Sequence, residues 1–258
     1  MRTARLLAVS LVVISWLGRP AAGGIVNVQS ILATEAEEGF SGAVTAAADW
    51  RTGNVDLLTL SAAPVARVRA GKNLVVGILR GEYGRASAGR YLASTFAHLR
   101  YRRDLRPRLQ LEGFAQHELD RIRRLASRAL VGAGPRLLLI DRGKLEVALG
   151  VAYMLELEQL REDMEPDAGQ RDLQHRASSY AAIRYEIDDR LQAVQTAYAQ
   201  PRLTNATDVR LLSESQLVVK IAPTLAFTTS FVIAYDAAPP EAIEKLDTAL
   251  KSSITINF

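Results

Sequence analysis

A chain of 258 residues, 48% hydrophobic and 23% charged, has room for one large domain or two ordinary ones. It has no cysteine, which excludes a disulfide framework, a thiolate metal site and a thiol nucleophile. Its 32 Lys and Arg against 28 Asp and Glu give a net charge of +4, with no run of like charges that would form a basic arm.

Met1–Gly23 reads as a secretory signal peptide. Arg2 and Arg5 make a positive start, Leu6–Leu17 is apolar, and Ala21, Ala22 and Gly23 are small residues suited to cleavage. A membrane-spanning helix needs about 20 apolar residues, and Arg19 and Pro20 interrupt this run. Removal of the segment takes Arg2, Arg5 and Arg19 and no acid, leaving 29 basic residues against 28 acidic ones, a net charge of +1. The balance gives no reason to expect a nucleic-acid partner. Residues 24–38 read as an N-terminal linker. Within it Ile25–Ser30 suits a short strand or a segment tucked against the following domain, and Ala33–Glu38 is small and acidic.

From Gly39 onward the pattern is β. Strands are expected at 39–50, 54–68, 72–84, 88–103, 107–119, 122–140, 144–160, 176–188, 190–201, 209–221, 224–237 and 245–258, with no convincing amphipathic helix. Tight breaks follow every second strand: Ala70–Gly71, Asp104–Pro107, Asp141–Gly143, Asp188–Asp189 and Ala222–Pro223. Longer links fall at the other parity, at Leu160–His175, Pro201–Asp208 and Asp236–Lys245. Short turns at one end and long loops at the other, on long strands of even number, describe an all-β, antiparallel up-and-down transmembrane β-barrel of about twelve strands spanning residues 39–258.

Three further patterns agree. In Leu145–Glu158 one face carries Leu145, Val147, Leu149, Val151, Tyr153, Leu155 and Leu157, and the other holds Glu146, Glu156 and Glu158. Strands two and three do not orient in this way. Trp50, Tyr83, Tyr91, Tyr198 and Tyr235 fall near strand ends facing the longer loops, with Tyr101 and Phe258 near the opposite rim, as in an interfacial aromatic girdle. The last strand, Leu246–Phe258, alternates to an aromatic final residue, and Ile254, Ile256 and Phe258 read as a barrel assembly signal.

Several phrases along the chain resemble one family. Gly39–Gly42, Thr52–Asn54, His98–Tyr101, Gln200–Arg202 with Asp208 and Arg210, and Tyr235–Asp236 before Pro239–Pro240 are similar to the salt-induced outer-membrane protein family of Gram-negative bacteria, whose function is uncharacterised. The resemblance implies an outer-membrane barrel and brings no catalytic motif.

The candidate site is the lumen. Arg100, Arg102, Arg108, Glu112, Arg128, Arg136, Glu146, Glu156, Glu158, Arg184, Glu186, Glu214 and Lys220 are expected on lumen-facing positions. Opposite charges on neighbouring strands can meet, so they either fill and stiffen the interior or line a narrow passive channel for small solutes or ions. A filled interior with a structural or envelope-stress role is the leading expectation. A lipid hydrolase is a remote one, because His98, His117 and His175 show no nucleophile motif. The acidic loop Glu162–Asp167 with Asp172 lacks calcium-loop spacing and reads as solvated surface. No enzyme activity, cofactor or metal is expected. The expected partners are outer-membrane lipids and the barrel assembly machinery.

Overall fold

The computed structural model describes residues 25, 27, 38–51, 57–86 and 89–258, in which twelve antiparallel strands close into a single barrel. The signal-peptide reading of Met1–Gly23 lies outside the described residues. The strands are β1 (Gly39–Arg51), β2 (Leu57–Ala70), β3 (Asn73–Ala86), β4 (Gly89–Arg106), β5 (Leu109–Asp120), β6 (Leu125–Arg142), β7 (Leu145–Leu160), β8 (Arg171–Glu186), β9 (Leu191–Arg202), β10 (Asn205–Ala222), β11 (Leu225–Asp236) and β12 (Leu246–Asn257). Each pairs with its chain neighbours, and β1 pairs with β12 to close the ring.

The strands form because side chains alternate between two very different surroundings. On β4–β7, Leu99, Val131, Val151 and Leu157 point outward and are exposed, while Arg100, Arg128 and Glu156 point inward and are buried. A soluble barrel would invert that pattern; an apolar exterior around a charged interior is the arrangement a bilayer favours. β3 departs from the rule. Leu74, Val76 and Ile78 face inward and cluster with Ala43, Val65 and Phe96, while Val75, Leu79 and Tyr83 face out. Apolar residues on both faces leave no alternation to read, which is why strands two and three resist orientation from the sequence.

The start of β1 and the end of β12 lie at the end of the barrel with the short turns Gly71–Lys72, Pro107–Arg108, Gly143–Lys144, Ile187–Arg190 and Pro223–Thr224. The other end carries the loops 121–124, 161–170 and 237–245. Three expectations change. The link expected at Pro201–Asp208 is a two-residue turn, Leu203–Thr204, followed by a bulge between Asn205 and Val209 opposite Pro201, which has no N–H to give the ladder. β8 starts at Arg171, which shortens the loop before it. Tyr198 belongs to no girdle: it is buried inside the barrel with its ring centroid 5.4 Å from that of Tyr180. Tyr83, Tyr101, Tyr153 and Tyr185 are the exposed tyrosines, and the side chains of Trp50 and Tyr91 lie outside the described residues.

The closing seam is the thinnest part of the wall. β1 and β12 stay in register only from Ala43↔Asn257 to Ala46↔Ile254, whereas β11 and β12 do so from Leu225↔Ile256 to Tyr235↔Leu246. Gly42 and Phe258 lengthen the seam: the Gly42 N–H donates to the Phe258 carbonyl at 2.8 Å, and the Phe258 N–H donates to the Gly42 carbonyl at 2.9 Å. The Phe258 ring lies where a Cβ on Gly42 would be, so only glycine admits it. Thr45 and Thr255 share a hydroxyl hydrogen bond of 2.8 Å beside them. Ile254, Ile256 and Phe258 have exposed side chains here.

Truncation of Ile254–Phe258 removes every pair of this seam. The truncated chain is expected to be absent from the membrane fraction and to give no heat-modifiable band on unboiled gels; normal insertion would show that the seam is dispensable. Gly42→Val, which displaces the Phe258 ring, is expected to cost about 1–3 kcal/mol in urea unfolding in detergent.

Candidate functional site in the lumen

Two charge clusters brace the lumen. The first centres on Glu112 of β5. Its carboxylate accepts from Arg100 Nη1 at 3.0 Å, from Arg102 Nη2 at 2.8 Å and from the Tyr180 hydroxyl at 2.6 Å. Tyr180 is on β8, so the last bond crosses the lumen over the heads of β6 and β7. Glycine makes the reach possible. Tyr180 is the register partner of Gly150, and Phe114 is that of Gly132. In each pair the ring covers the glycine so closely that a Cβ there would overlap it. Arg100 lies 5.1 Å above the Phe114 ring, and His98 stacks between Phe96 and Phe114. The space left between Glu112, Phe114, Tyr180 and Tyr198 is a cavity of about 10 Å³, near the least that admits a water.

The second cluster centres on Arg210 of β10. It donates to Glu156 at 2.5 Å, Glu158 at 3.0 Å and Asp236 at 2.9 Å. Glu156 and Glu158 are on β7, so this set also spans non-adjacent strands. Arg176, beside it on β8, donates to Asp208 at 2.8 Å and to the Asp208 and Gln200 carbonyls. Asp208 is in the bulge that Pro201 forces, so a local defect of the ladder becomes the acceptor for a buried guanidinium. Smaller sets join Arg136 and Arg184 to Glu146, each at 2.9 Å, and Arg123 and Arg128 to Glu118. Buried charges persist only when paired and hydrogen-bonded, and the forked guanidinium suits shared carboxylates.

The opposite wall is built differently. β9, β11 and β12 present Thr196, Ser230, Val232, Ala234 and Ala249 to the lumen, all short. Ile25 packs on this wall with Tyr180, Tyr198, Leu212, Val232 and Ala234, and Asn27 is buried as well. Two residues of the stretch expected as a linker, Ile25 and Asn27, are therefore buried, Ile25 against the inner face of the barrel. Lys251, in mid-strand on the lumen side of β12, remains exposed, with Glu82 and Glu214 as its acidic neighbours and Arg80 and Arg123 as its basic ones.

At the loop end Arg124 ties three loops together. Its guanidinium contacts Asp163 and Asp167, at 2.7 and 2.6 Å, and donates to the Glu241 carbonyl at 2.9 Å. The Glu241 N–H returns to Asp167 at 2.9 Å. The hydrogen bond from Arg124 holds Asp163 below its ordinary value of 3.8. For Asp167 burial acts in the opposite sense, and the Glu241 N–H with Arg124 outweighs it, so this carboxyl too is held low. Arg124 is correspondingly raised, first by its hydrogen bond with Asp163.

Of the residues expected in the lumen, Arg100, Arg102, Glu112, Arg128, Arg136, Glu146, Glu156, Glu158 and Arg184 are brought into the clusters above or beside them. Glu186 is at their margin, bonded to Arg184 at 3.3 Å, and Glu214 accepts from Gln216 at 2.7 Å. Lys220 shares their parity but is exposed near the end of β10. Arg108 is a correction: it sits in the turn Pro107–Arg108, exposed, because β4 continues to Arg106 and β5 begins at Leu109. Glu118, Arg176, Tyr180, Arg210 and Asp236 were missed as lumen groups. Parity would have found them, since Glu118 shares a face with Glu112, Arg176 with Arg184, and Arg210 with Glu214. His98 and His117 sit on opposite sides of the wall, one inside and the other outward, 3.1 Å from Ser127, so they cannot serve one site.

A closed, even-numbered antiparallel barrel with an apolar exterior and a charged interior defines an outer-membrane-type β-barrel protein. The chain belongs to the family described as Protein of unknown function, DUF481, whose model matches residues 44–258. Among solved structures it is similar in fold to the translocator domain of the autotransporter NalP from Neisseria meningitidis, with a TM-score of 0.50 and 11% identity over 89% of this chain and 91% of that one. The NanC porin follows with 0.48 and 7% over 85% and 98%, and the KdgM porin with 0.45 and 10% over 85% and 99%. No curated protein matches the chain in sequence.

Two tests address these clusters. Arg210→Ala leaves the buried Glu156 and Asp236 and the half-buried Glu158 short of their cation and is expected to cost about 3–5 kcal/mol in urea unfolding; Arg210→Lys should recover only part, since an ammonium cannot fork among them. Asp163 and Asp167 have folded-state pKa values below their unfolded ones, so their contribution is present above the unfolded value and is lost as pH falls through the folded one. The loop 161–170 is therefore expected to become cleavable by pepsin near Met164 as pH falls from about 4 to about 2. Arg124→Ala should make the same loop cleavable by trypsin at neutral pH with barrel migration unchanged.

Proposed function

We propose that this protein is an integral outer-membrane barrel with a structural or envelope-stress role, and that its resting lumen is closed to solutes. The observation that carries this reading is the pair of bonds that cross the lumen, Tyr180 to Glu112 and Arg210 to Glu156, which tie strands that are not neighbours. A wide pore keeps its wall charges apart; a braced interior joins them. We expect no enzyme activity, since His98, His117 and His175 show no nucleophile motif in the sequence, and the expected partners are the surrounding lipids and the machinery that inserts barrels. The signal-peptide pattern of Met1–Gly23 and the fold support export to the outer membrane, with the short turns facing the periplasm. The resemblance to the salt-induced family supports the envelope-stress setting.

A narrow passive channel is the second reading, and one observation favours it: Lys251 is water-accessible on the lumen side, among groups of both signs. Planar-bilayer recording separates the two. The purified protein is expected to hold a closed trace at all voltages with rare, small openings. A steady conductance of porin size would overturn the closed reading.

A further inference from the structure

Building on the outer-membrane reading above, we propose that the wall is open sideways between β1 and β12 toward the loop end, and that this cleft holds the head of a zwitterionic phospholipid, its phosphate on Lys251.

The ring is closed at its short-turn end, but the ladder between these two strands stops early. Among the described residues its last pair is Ala46↔Ile254, yet both strands continue toward the loop end. β1 runs on along β2, from Ala47↔Ser61 to Arg51↔Leu57. β12 runs on along β11, from Thr228↔Ser253 to Tyr235↔Leu246. Ala47–Arg51 and Ala249–Ser253 are thus two well-formed strands that face each other without a ladder. Ala47–Arg51 is five residues, and at about 3.3 Å for each the gap is roughly 16 Å long.

In hydrocarbon such an edge leaves N–H and C=O groups with nothing to bond, so a polar molecule has to occupy it. The lumen side of the gap is itself polar. Thr45 and Thr255 join hydroxyls at its foot, and Ser253 and Lys251 follow on the same face of β12. Lys251 is exposed although it lies in mid-strand on the lumen side, whereas the inward Arg100, Arg128 and Glu156 of the braced wall are buried. A gap in the wall beside it accounts for the difference. On the membrane side Leu250 and Ile254 flank the gap and are both exposed. A polar floor between apolar shoulders matches a lipid, with acyl chains along Leu250 and Ile254 and the head turned inward.

Charge selects the head. The acidic neighbours of Lys251 are Glu82 and Glu214, and its basic ones are Arg80 and Arg123. Glu82 has Arg80 3.7 Å away, and Arg123 binds Glu118 and Asp120. These pairings leave Lys251 and Glu214, one charge of each sign, for a lipid head to meet. Glu214 is on β10, two strands from Lys251 on the side away from the gap. The ammonium therefore comes first on the way in, and its three N–H donors suit a phosphate. The positive group of the head then completes the balance with the carboxylate.

Two cysteine pairs test the gap in a chain that has no cysteine of its own. Gly42 and Phe258 exchange both backbone bonds, so Thr45 with Thr255, and Ala47 with Ser253 if the ladder continued, would be closely spaced pairs of the same kind. Thr45→Cys/Thr255→Cys is expected to cross-link under oxidation, and Ala47→Cys/Ser253→Cys is not. Native mass spectrometry in detergent then tests the ligand, with dimyristoylphosphatidylethanolamine as probe and dimyristoylglycerol as the headless control. The full chain is expected to retain the phospholipid about tenfold better, the size of one charge-assisted hydrogen bond. Lys251→Met should bring the two lipids to parity, and Lys251→Gln replaces it if the methionine variant gives no heat-modifiable band. Equal cross-linking of both pairs would show a wall zipped along its length and overturn the cleft. A phospholipid preference unchanged in a heat-modifiable Lys251 variant would overturn the site. Dimers that retain no phospholipid would show the open edge filled by a second copy of the chain, and would overturn it too. A full chain that stays out of the membrane fraction would instead overturn the outer-membrane reading, which the other three outcomes leave standing.

Discussion

Closure of the backbone hydrogen-bond ladder is the constraint from which the other features of this molecule follow. In hydrocarbon no water replaces a missing partner, so each N–H and C=O in the wall needs a neighbour. Local sequence supplies eleven of the twelve pairings through hairpins; the twelfth, β1 with β12, must be made between the two ends of the domain. That pairing is also the shortest, and it is reinforced by what flanks it. Phe258 over Gly42 gives the seam an apolar cap, and the glycine that would weaken an ordinary strand is what lets the ring lie flat against the wall. Tilting of the strands and the long, alternating outer face follow once the ring must close.

Closure creates the second problem, the interior. Every residue that faces away from lipid faces the lumen, and there the chain places charges that are costly to desolvate. They are tolerated because each of the two main clusters shares its central group among several partners. Glu112 serves two arginines and a tyrosine, and Arg210 serves three carboxylates. Sharing reduces the orientational freedom each added group must lose, since its partner is already held. The same sharing couples distant strands, so the interior stiffens the ring in directions the ladder cannot. Inward aromatics need room for this, and the glycines opposite Phe114 and Tyr180 provide it.

Much of this was legible in the residues. The period-two alternation of Leu145–Glu158 is strong because one side meets lipid and the other meets charge, and so β7 lies where it was expected, ending at Leu160. The parity of short turns was legible for the same reason that Gly71 and Gly143 are: their positive φ is a local demand that a sequence must meet locally. What was not legible depends on non-local geometry. Tyr198 carries no mark that distinguishes a girdle from a lumen, because the distinction is which face β9 turns inward. Arg108 shares parity with Glu112, but parity means nothing in a turn. Pro201 looks like the start of a loop, and only its strand partners show that the ladder bulges and continues. β3 hides its orientation because its inner face is apolar, packed on Val65 and Phe96.

The asymmetry between the two walls bears on how such a barrel evolves a function. A lumen braced all round by ion pairs would be rigid, and altering it one residue at a time would strand buried charges. Here that penalty falls on β4–β8, on Arg210 with Asp236, and on Asp208 beside Arg176. On β9, β11 and β12 the inward Thr196, Ser230, Val232, Ala234 and Ala249 are short and uncharged, and substitutions there change volume without unbalancing charge. Its packing is completed by chain from outside the barrel sequence, at Ile25. The loop end is held in a similar way, with Arg124 joining the loops after β5 and β7 to the one between β11 and β12 through groups that lie outside the ladder. One side of the molecule is thus held by interactions that are expensive to break, and the other by contacts that are cheap to alter. Any traffic, ligand or regulation this barrel supports is most simply accommodated on the second side, because only there can the interior change without the wall paying in unpaired charge.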